Sequence, residues 1–223
     1  MAAPVRQASE KTRRAIVEAG LRGFGSKGYA ATSTREIAAL AETNVASIAY
    51  HFGGKEGLRT ACAEHVVATL GAVLAADAPE EEATDPALAR ARLTGLAERM
   101  VHFLLLRPEA HAIAGFMIRE MAQPSPALDA IYDGLIARLH PRLCRLWAAA
   151  TGREAESAGV KLAVFGMIGQ IVYFHLGRPV VTRRMGWSGI AAPEARAIAA
   201  MIAATLRARL DADRGDADRG DPA

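Results

Sequence analysis

Residues 33–55 read STREIAALAETNVASIAYHFGGK, a stretch whose spacing predicts two short helices joined by a turn. Ser33 stands three residues before Glu36, which is the spacing of a capping box, where each side chain bonds the other residue's backbone N–H. Asn44 is a favoured N-cap residue and precedes an apolar segment at 45–52. Two glycines then end that segment, because glycine adopts the left-handed conformation at little steric cost. The stretch is therefore predicted to be a helix-turn-helix.

The second helix has two chemically different sides. Ile48 and Phe52 are predicted to face the core. The other side carries small or planar groups, which can approach the floor of a DNA major groove more closely than a bulky charged surface. Those groups are Val45, Ala46, Ser47, Ala49, Tyr50 and His51. Lys55 follows the helix and provides a point charge for a phosphate.

This segment resembles the DNA-binding region of the TetR family of transcriptional regulators. The matching positions are Thr32, Ser33, Ile37, Ala38, Ala41, Asn44, Ile48, Tyr50, His51, Phe52, Gly54, Lys55, Glu56 and Leu58. The resemblance implies that Thr34 and Arg35 of the first helix contact phosphate or base. It implies base reading by Asn44, Val45, Ala46 and Ser47, and backbone contacts by Tyr50, His51 and Lys55. Packing is the alternative role for Tyr50 and His51, and the favoured one for Phe52.

Two positions depart from the family pattern. Glu42-Thr43 replaces the usual Gly-Val of the turn, which predicts a positive φ at Glu42 at a cost of about 1 kcal/mol. Ala49 replaces the first tyrosine of a Tyr-Tyr pair and removes one expected backbone contact.

Composition predicts an all-α protein. The chain has 223 residues, only 5% aromatic, and lacks strand-like runs of β-branched and aromatic residues. This length suffices for two helical lobes with a core. We predict an N-terminal three-helix helix-turn-helix domain at 1–57 and a C-terminal helical domain for ligand binding and dimerisation at 58–210. The repetitive polar segment 211–223 is predicted to be disordered, as are residues 1–9.

Positive charge is concentrated near the N terminus. Residues 1–60 contain nine Lys and Arg against five Asp and Glu, whereas residues 61–223 contain eighteen against nineteen. The excess coincides with the predicted helix-turn-helix and is typical of a nucleic-acid-binding surface. A solvated surface without function is the alternative.

The sequence lacks the patterns of an enzyme, a metalloprotein or a secreted protein. The two cysteines, Cys62 and Cys144, are far apart and are predicted to be buried thiols in a reducing cytoplasm. The sequence G-x-G-x-x-G at 23–28 closes a helix instead of following a strand, so it is not a nucleotide loop. No metal-ligand spacing occurs among His51, His65, His102, His111, His140 and His175. We therefore predict no enzyme activity, no cofactor and no membrane segment.

The C-terminal part is predicted to contain a dimer interface. The segment 155–176 is apolar on more than one face, and 195–210 carries a second apolar stripe. Two such helices from each subunit suit a four-helix interface, while an ordinary core helix is the alternative.

A second resemblance concerns ligand binding. The segments 119–128, 165–170 and 183–187 are similar to the CecR-type subgroup of TetR regulators, which implies a pocket for a small molecule, such as a xenobiotic or antibiotic. Apolar walls with a few polar groups suit such a pocket, although the apolar members also suit a core. The candidate lining residues are Phe103, Phe116, Met117, Arg119, Glu120, Met121, Tyr132, Met167, Gln170, Phe174 and His175.

The predicted function is a homodimeric, DNA-binding transcriptional repressor in the cytoplasm, released from a palindromic operator by an apolar effector. The alternative is a ligand-sequestering or protein-interaction module on the same fold, with DNA binding lost. Glu42 and Ala49 are the residues that favour the alternative.

Overall fold

The computed structural model describes residues 3–75 and 85–219, with side chains described at 7–75 and 85–217. Within these ranges all regular structure is helical, as predicted. The helices are α1 Ala3–Lys27, α2 Thr34–Leu40, α3 Val45–Phe52, α4 Lys55–Ala75, α5 Pro86–Leu106, α6 Pro108–Ala122, α7 Pro126–Ile131, α8 Ala137–Thr151, α9 Ala158–Leu176, α10 Arg178–Met185 and α11 Ala192–Arg219. A π-helical turn, Tyr132–Ile136, joins α7 to α8.

The chain divides into two compact units. The first consists of Met1–Leu70 and His111–Leu135, and the second consists of Gly71–Ala110 and Ile136–Ala223. This division differs from the predicted boundary after residue 57, because residues 58–70 of α4, most of α6 and all of α7 belong with the N-terminal helices.

The first unit has a continuous apolar core. Its fully buried side chains come from α1, α2, α3, α4, α6 and α7, and include Ile16, Phe24, Ile37, Ile48, Leu58, Phe116 and Ile131. Helices α1 and α6 approach each other at a pair of glycines. A Cβ on Gly25 would lie 2.9 Å from both the Ala112 carbonyl oxygen and the Phe116 nitrogen, and a Cβ on Gly115 would lie 3.1 Å from the Gly25 carbonyl oxygen. Side chains at either glycine would force the two helices apart.

The second unit is a bundle in which α5 packs against α8, α9 and α11. Its core includes Leu93, Trp147, Val160, Val164, Ile202 and Leu210. His175 lies in the same unit, 8% exposed, and its Nδ1 is 2.8 Å from the Leu104 carbonyl oxygen. The long apolar segment predicted at 155–176 is thus helix α9, which begins after the Ser157 cap.

The structure corrects two predictions of disorder. Helix α1 already begins at Ala3, so residues 3–9 are helical. At the other end, α11 continues to Arg219 instead of stopping near residue 210. Asp213, only 4% exposed, accepts a 2.9 Å hydrogen bond from the Trp147 indole N–H. The polar composition of the segment did not indicate this contact. One buried carboxylate with a hydrogen-bond partner is enough to hold an otherwise exposed helical turn in place. Residues 220–223 lie outside the described ranges.

Helices α4 and α9 satisfy the length and composition of a membrane span. Core helices of soluble proteins pass the same test. In α4, Leu58, Cys62, Val66 and Leu70 are all buried within the protein. Helix α9 instead leaves several apolar side chains exposed, among them Leu162, Phe165 and Tyr173.

Candidate nucleic-acid interface

Helix α2 begins with the predicted capping box. The Ser33 hydroxyl accepts a 3.2 Å hydrogen bond from the Glu36 N–H, and the Glu36 carboxylate accepts a 2.9 Å bond from the Ser33 N–H. Lys27 adds an ion pair of 2.6 Å to the same carboxylate. Together these contacts hold the pKa of Glu36 at about 2, with Lys27 as the first cause and Ser33 as the next. The start of α2 is thereby fixed to the end of α1.

The turn between α2 and α3 adopts the strained conformation that was predicted. Glu42 has φ 51°, the only positive φ among the non-glycine residues of the described ranges. Its N–H donates to the Ala39 carbonyl at 3.2 Å, while the Thr43 N–H donates to Ala38 at 2.9 Å. These two bonds satisfy carbonyls at the end of α2, which explains why the chain keeps this conformation without a glycine.

Helix α3 is capped at both ends. Asn44 Oδ1 accepts hydrogen bonds from the Ser47 N–H at 2.9 Å and from the Ser47 hydroxyl at 3.2 Å. The Thr43 hydroxyl lies 3.0 Å from Ser47 Oγ and completes the chain. At the C terminus, Gly53 has φ 72° and its N–H donates to the Ala49 carbonyl. The predicted bounds of this helix are confirmed.

The two sides of α3 differ as expected. Ile48 is 1% exposed and anchors the helix to the core, whereas Tyr50 is 84% exposed and Val45 is 43% exposed. Ala46 and Ala49 are also exposed, while Ser47, His51 and Phe52 are half-buried. The rings of Tyr50 and His51 meet edge to face with centroids 5.0 Å apart. Helix α3 therefore presents a surface of small, mostly apolar side chains, from which the Tyr50 phenol projects.

Thr34 and Arg35 stand at the start of α2. Thr34 is the first residue of this helix and is half-buried, whereas Arg35 beside it is exposed. Both residues directly follow the Ser33 cap. The capping box that fixes the start of α2 therefore also fixes the backbone positions of Thr34 and Arg35. The structure thus leaves the Arg35 guanidinium accessible to a phosphate or base edge.

Lys55 belongs to a cluster around Tyr29 that the sequence did not reveal. The Lys55 ammonium lies 4.3 Å from the Tyr29 ring centroid, and the Arg59 guanidinium lies 4.4 Å from it. The Tyr29 hydroxyl donates a 2.6 Å hydrogen bond to Glu56, which together with partial burial raises the pKa of Tyr29. The four-residue spacing of Lys55 and Arg59, which puts both on one helix face, was the available signal.

Arg59 also forms a long-range ion pair. Its Nε and Nη2 donate to the two carboxylate oxygens of Glu120 at 2.9 and 2.8 Å. The Glu120 side chain is 3% exposed and that of Arg59 is 13% exposed. Ser125 donates its hydroxyl to the same carboxylate. Next to it, Arg119 donates to the Gly25 carbonyl at 3.0 Å and also to the Ser26 carbonyl at the end of α1.

The candidate ligand residues are divided between the two units. Six lie in the first unit: Phe116, Met117, Arg119, Glu120, Met121 and Tyr132. Of these, Phe116 is buried against Phe24 with ring centroids 6.4 Å apart, Met117 is half-buried, and Met121 and Tyr132 are more than half exposed. The contacts of Arg119 and Glu120 described above connect α6 with α1 and α4.

Five candidate ligand residues lie in the second unit: Phe103, Met167, Gln170, Phe174 and His175. Phe103 and Met167 are buried, Phe174 is half-buried, and Gln170 is exposed. Met167 and Gln170 line an open groove of about 400 Å³, together with Trp147, Leu162, Ile202 and Leu206. The structure thus brings two of the five to one groove. Within the described residues, no cluster of three His, Cys, Asp or Glu side chains suits a metal ion.

Comparison with known proteins gives two family matches. Residues 89–212 match the family described as the C-terminal domain of HTH-type transcriptional dual regulator CecR. Residues 16–62 match the family described as bacterial regulatory proteins, tetR family. Dual regulator CecR of Shigella flexneri is 34% identical over 185 residues, which are 80% of this chain and 82% of that protein.

Solved structures show the same fold. A TetR-like transcriptional regulator from Rhodococcus sp. RHA1 aligns over 90% of this chain and 96% of its own with a TM-score of 0.66 at 18% identity. AibR in complex with isovaleryl coenzyme A and operator DNA aligns over 87% of this chain and 97% of its own with a TM-score of 0.64 at 18% identity.

Proposed function

This chain belongs to the TetR family of bacterial transcriptional regulators, with a C-terminal domain of the CecR type, and we propose that it is a homodimeric repressor released from a palindromic operator by a small-molecule effector. That it is a DNA-binding regulator follows from the family. The proposal adds the roles of the two predicted domains: residues 1–57 bind DNA, and residues 58–210 bind the effector and form the dimer.

The observation that carries the DNA-binding assignment is the exposed side of α3. The helix is held by a capped start, a glycine end and one buried isoleucine, while Tyr50 projects from it at 84% exposure. A rigid helix with small side chains at its N-terminal end is what entry into a major groove requires. Tyr50, His51 and Lys55 then lie on or directly after α3, where they contact the phosphates on either side of the groove.

The exposed apolar side of α9 supports the dimer. Leu162 is 70% exposed, Phe165 53% and Tyr173 54%, and Met201 of α11 is 44% exposed. Exposed apolar patches of this kind mark protein interaction sites. Pairing α9 and α11 with their copies in a second subunit would cover these side chains. The two recognition helices of such a dimer enter successive major grooves of a palindrome, about 34–36 Å apart, one turn of DNA.

An effector in the C-terminal helices would release DNA by favouring a state whose recognition helices no longer match both half-sites. It must bind that state more tightly than the DNA-bound state, because equal affinity shifts nothing. An effector site in the second unit is supported by the groove that Met167 and Gln170 share, which is mostly apolar and carries one candidate polar group in Gln170. We assign the chain to the cytoplasm, where its DNA is, and assign no catalytic reaction to it.

The function is tested by fluorescence anisotropy with duplexes from the DNA upstream of its own gene. Lys55→Ala should reduce the slope of log affinity against log salt by roughly 1, since one phosphate contact is lost. Tyr50→Ala and His51→Ala should weaken binding at all salt concentrations. Arg138→Ala, which removes an exposed cation from α8, is the control and should leave the slope unchanged.

Two outcomes contradict the proposal. A folded dimer that binds none of these duplexes at low salt would favour a ligand-sequestering module instead. If the protein is monomeric in analytical ultracentrifugation at micromolar concentration, it cannot bind the two half-sites of a palindrome as a dimer.

The effector is sought by a thermal-shift screen of apolar compounds, followed by a test of whether each compound releases labelled duplex. A compound that raises the melting temperature without releasing DNA is not the effector.

A further inference from the structure

The groove-facing surface of α3 offers methyl groups where many recognition helices offer hydrogen-bonding side chains. Val45 is the first residue of the helix and is 43% exposed. Ala49 lies one turn later on the same face, and Ala46 and Ala49 are both exposed. None of the three side chains contains a donor or acceptor, so none of them can read a base edge by hydrogen bonding.

The polar side chains at the start of α3 are already engaged inside the protein. An asparagine recognises adenine through both its amide oxygen and its amide nitrogen. In this protein, Asn44 Oδ1 accepts from the Ser47 N–H and the Ser47 hydroxyl, so the bidentate pair with adenine would require the helix to lose its cap. The Ser47 hydroxyl donates to Asn44 and accepts from Thr43, which uses its donor and one acceptor site.

We propose that α3 reads its half-site mainly through the 5-methyl groups of thymine, which Val45 and Ala49 contact. The inference rests on the proposed DNA-binding role of α3 and specifies its base preference. Thymine is the base with an apolar group on the floor of the major groove. Aliphatic side chains therefore distinguish it from cytosine without any hydrogen bond, while Arg35 and Tyr50 remain available for phosphates or other bases.

The inference is tested with thymine and uracil, which differ only by this methyl group. The full-length protein selects binding duplexes from two random-sequence pools, one made with thymidine and one with deoxyuridine. The best duplex of the thymidine pool is then resynthesised with uracil at each thymine in turn. We expect affinity to fall about fourfold for each contacted methyl group, which corresponds to the transfer free energy of one buried CH₂.

A matched pair of variants assigns the contact to α3. In Val45→Ala, uracil at the thymine that Val45 contacts should reduce affinity by less than a factor of about 2, because little apolar contact remains to be lost. Val180→Ala makes the same change at a position 64% exposed in α10 and should leave the uracil effect at its wild-type size.

The outcomes separate the two proposals. If the protein enriches duplexes but binds their thymine and uracil versions equally, the thymine readout is overturned and the DNA-binding role stands. If neither pool yields a duplex that binds at low salt, the DNA-binding role of α3 fails and the inference falls with it. The comparison of the two duplexes uses the wild-type protein, so it does not depend on how well Val45→Ala folds.

Discussion

Arg59 of α4 and Glu120 of α6 form a bidentate ion pair across 61 residues of sequence, with bonds of 2.9 and 2.8 Å. The same guanidinium lies over the ring of Tyr29, so one side chain joins α4, α6 and the loop before α2. The Lys55 ammonium also lies over that ring. The ion pair therefore helps to position Lys55, the residue proposed to contact a phosphate.

Removing one partner of this pair should destabilise the protein strongly. Glu120→Ala leaves the largely buried Arg59 guanidinium without its partner, and we expect a loss of about 3–5 kcal/mol in the free energy of unfolding measured by urea denaturation. The double variant Arg59→Met/Glu120→Leu removes both charges and should recover most of this loss. Lys27→Ala, which breaks an exposed pair, should have a much smaller effect. Equal losses in the single and double variants would contradict this assignment.

Glu42→Gly should stabilise the helix-turn-helix. A non-glycine residue at φ 51° is strained by about 1 kcal/mol, so the variant should gain about that amount in urea denaturation. Glu42→Ala removes the same carboxylate but keeps the strain, and it should show no gain. If the carboxylate also repels DNA, both variants should bind duplex more tightly. Equal stability of the glycine and alanine variants would show that φ at this position is not strained.

Gly57→Ala should disrupt the junction between α3 and α4. A Cβ at this position would lie 1.9 Å from the Phe52 carbonyl oxygen, so the backbone must move, at a cost of about 1–3 kcal/mol or more. Gly71→Ala, in the same helix, meets no atom within 4 Å and should instead stabilise by about 1 kcal/mol through helix propensity. Thermal unfolding by circular dichroism compares the two, and a neutral Gly57→Ala would contradict the geometry of the junction.

The Glu36 carboxyl group of the capping box should titrate far below the usual range of a glutamate. The pKa of Glu36 is lowered to about 2, first by Lys27 and then by Ser33. Because the pKa is lowered in the folded state, the charged Glu36 carboxylate stabilises the fold fully above the ordinary glutamate pKa of about 4.3. This stabilisation disappears as pH falls toward 2. Carboxyl ¹³C shifts should therefore give a midpoint near the lower value.

The variant Lys27→Ala tests the cause of this shift. Without the ammonium, the midpoint of Glu36 should move up toward the ordinary glutamate value of about 4.3, although Ser33 keeps part of the effect. Glu36→Gln should unfold with less dependence on pH between these two limits than the wild-type protein. A wild-type midpoint near 4 would rule out the capping contacts in solution.

Local contacts could be predicted well from the sequence. The Ser33–Glu36 box, the Asn44 cap and the glycine end of α3 all join groups three or four residues apart, so their geometry follows from the spacing of residue types. The positive φ of Glu42 was predictable for the same reason, since a residue that replaces glycine in a turn must still close the turn.

Long-range contacts could not be predicted. Nothing near Arg59 in the sequence points to Glu120, and the polar repeat that begins at Asp211 did not indicate that Asp213 bonds Trp147. The candidate ligand residues shared a composition typical of pockets, but they lie in two different compact units. Composition reports what a side chain can do, whereas its partner depends on how distant helices pack.

The spacing of residues 33–55 was therefore enough to predict two capped helices joined by a turn, because caps and turns are closed by neighbours along the chain. The regulatory function was implied by the family resemblance of this stretch, and the all-helical class by the composition. The tertiary structure decided which distant side chains meet. Arg59 pairs with Glu120, and the Lys55 ammonium lies over the Tyr29 ring, because a partner far away in the sequence depends on how the helices pack.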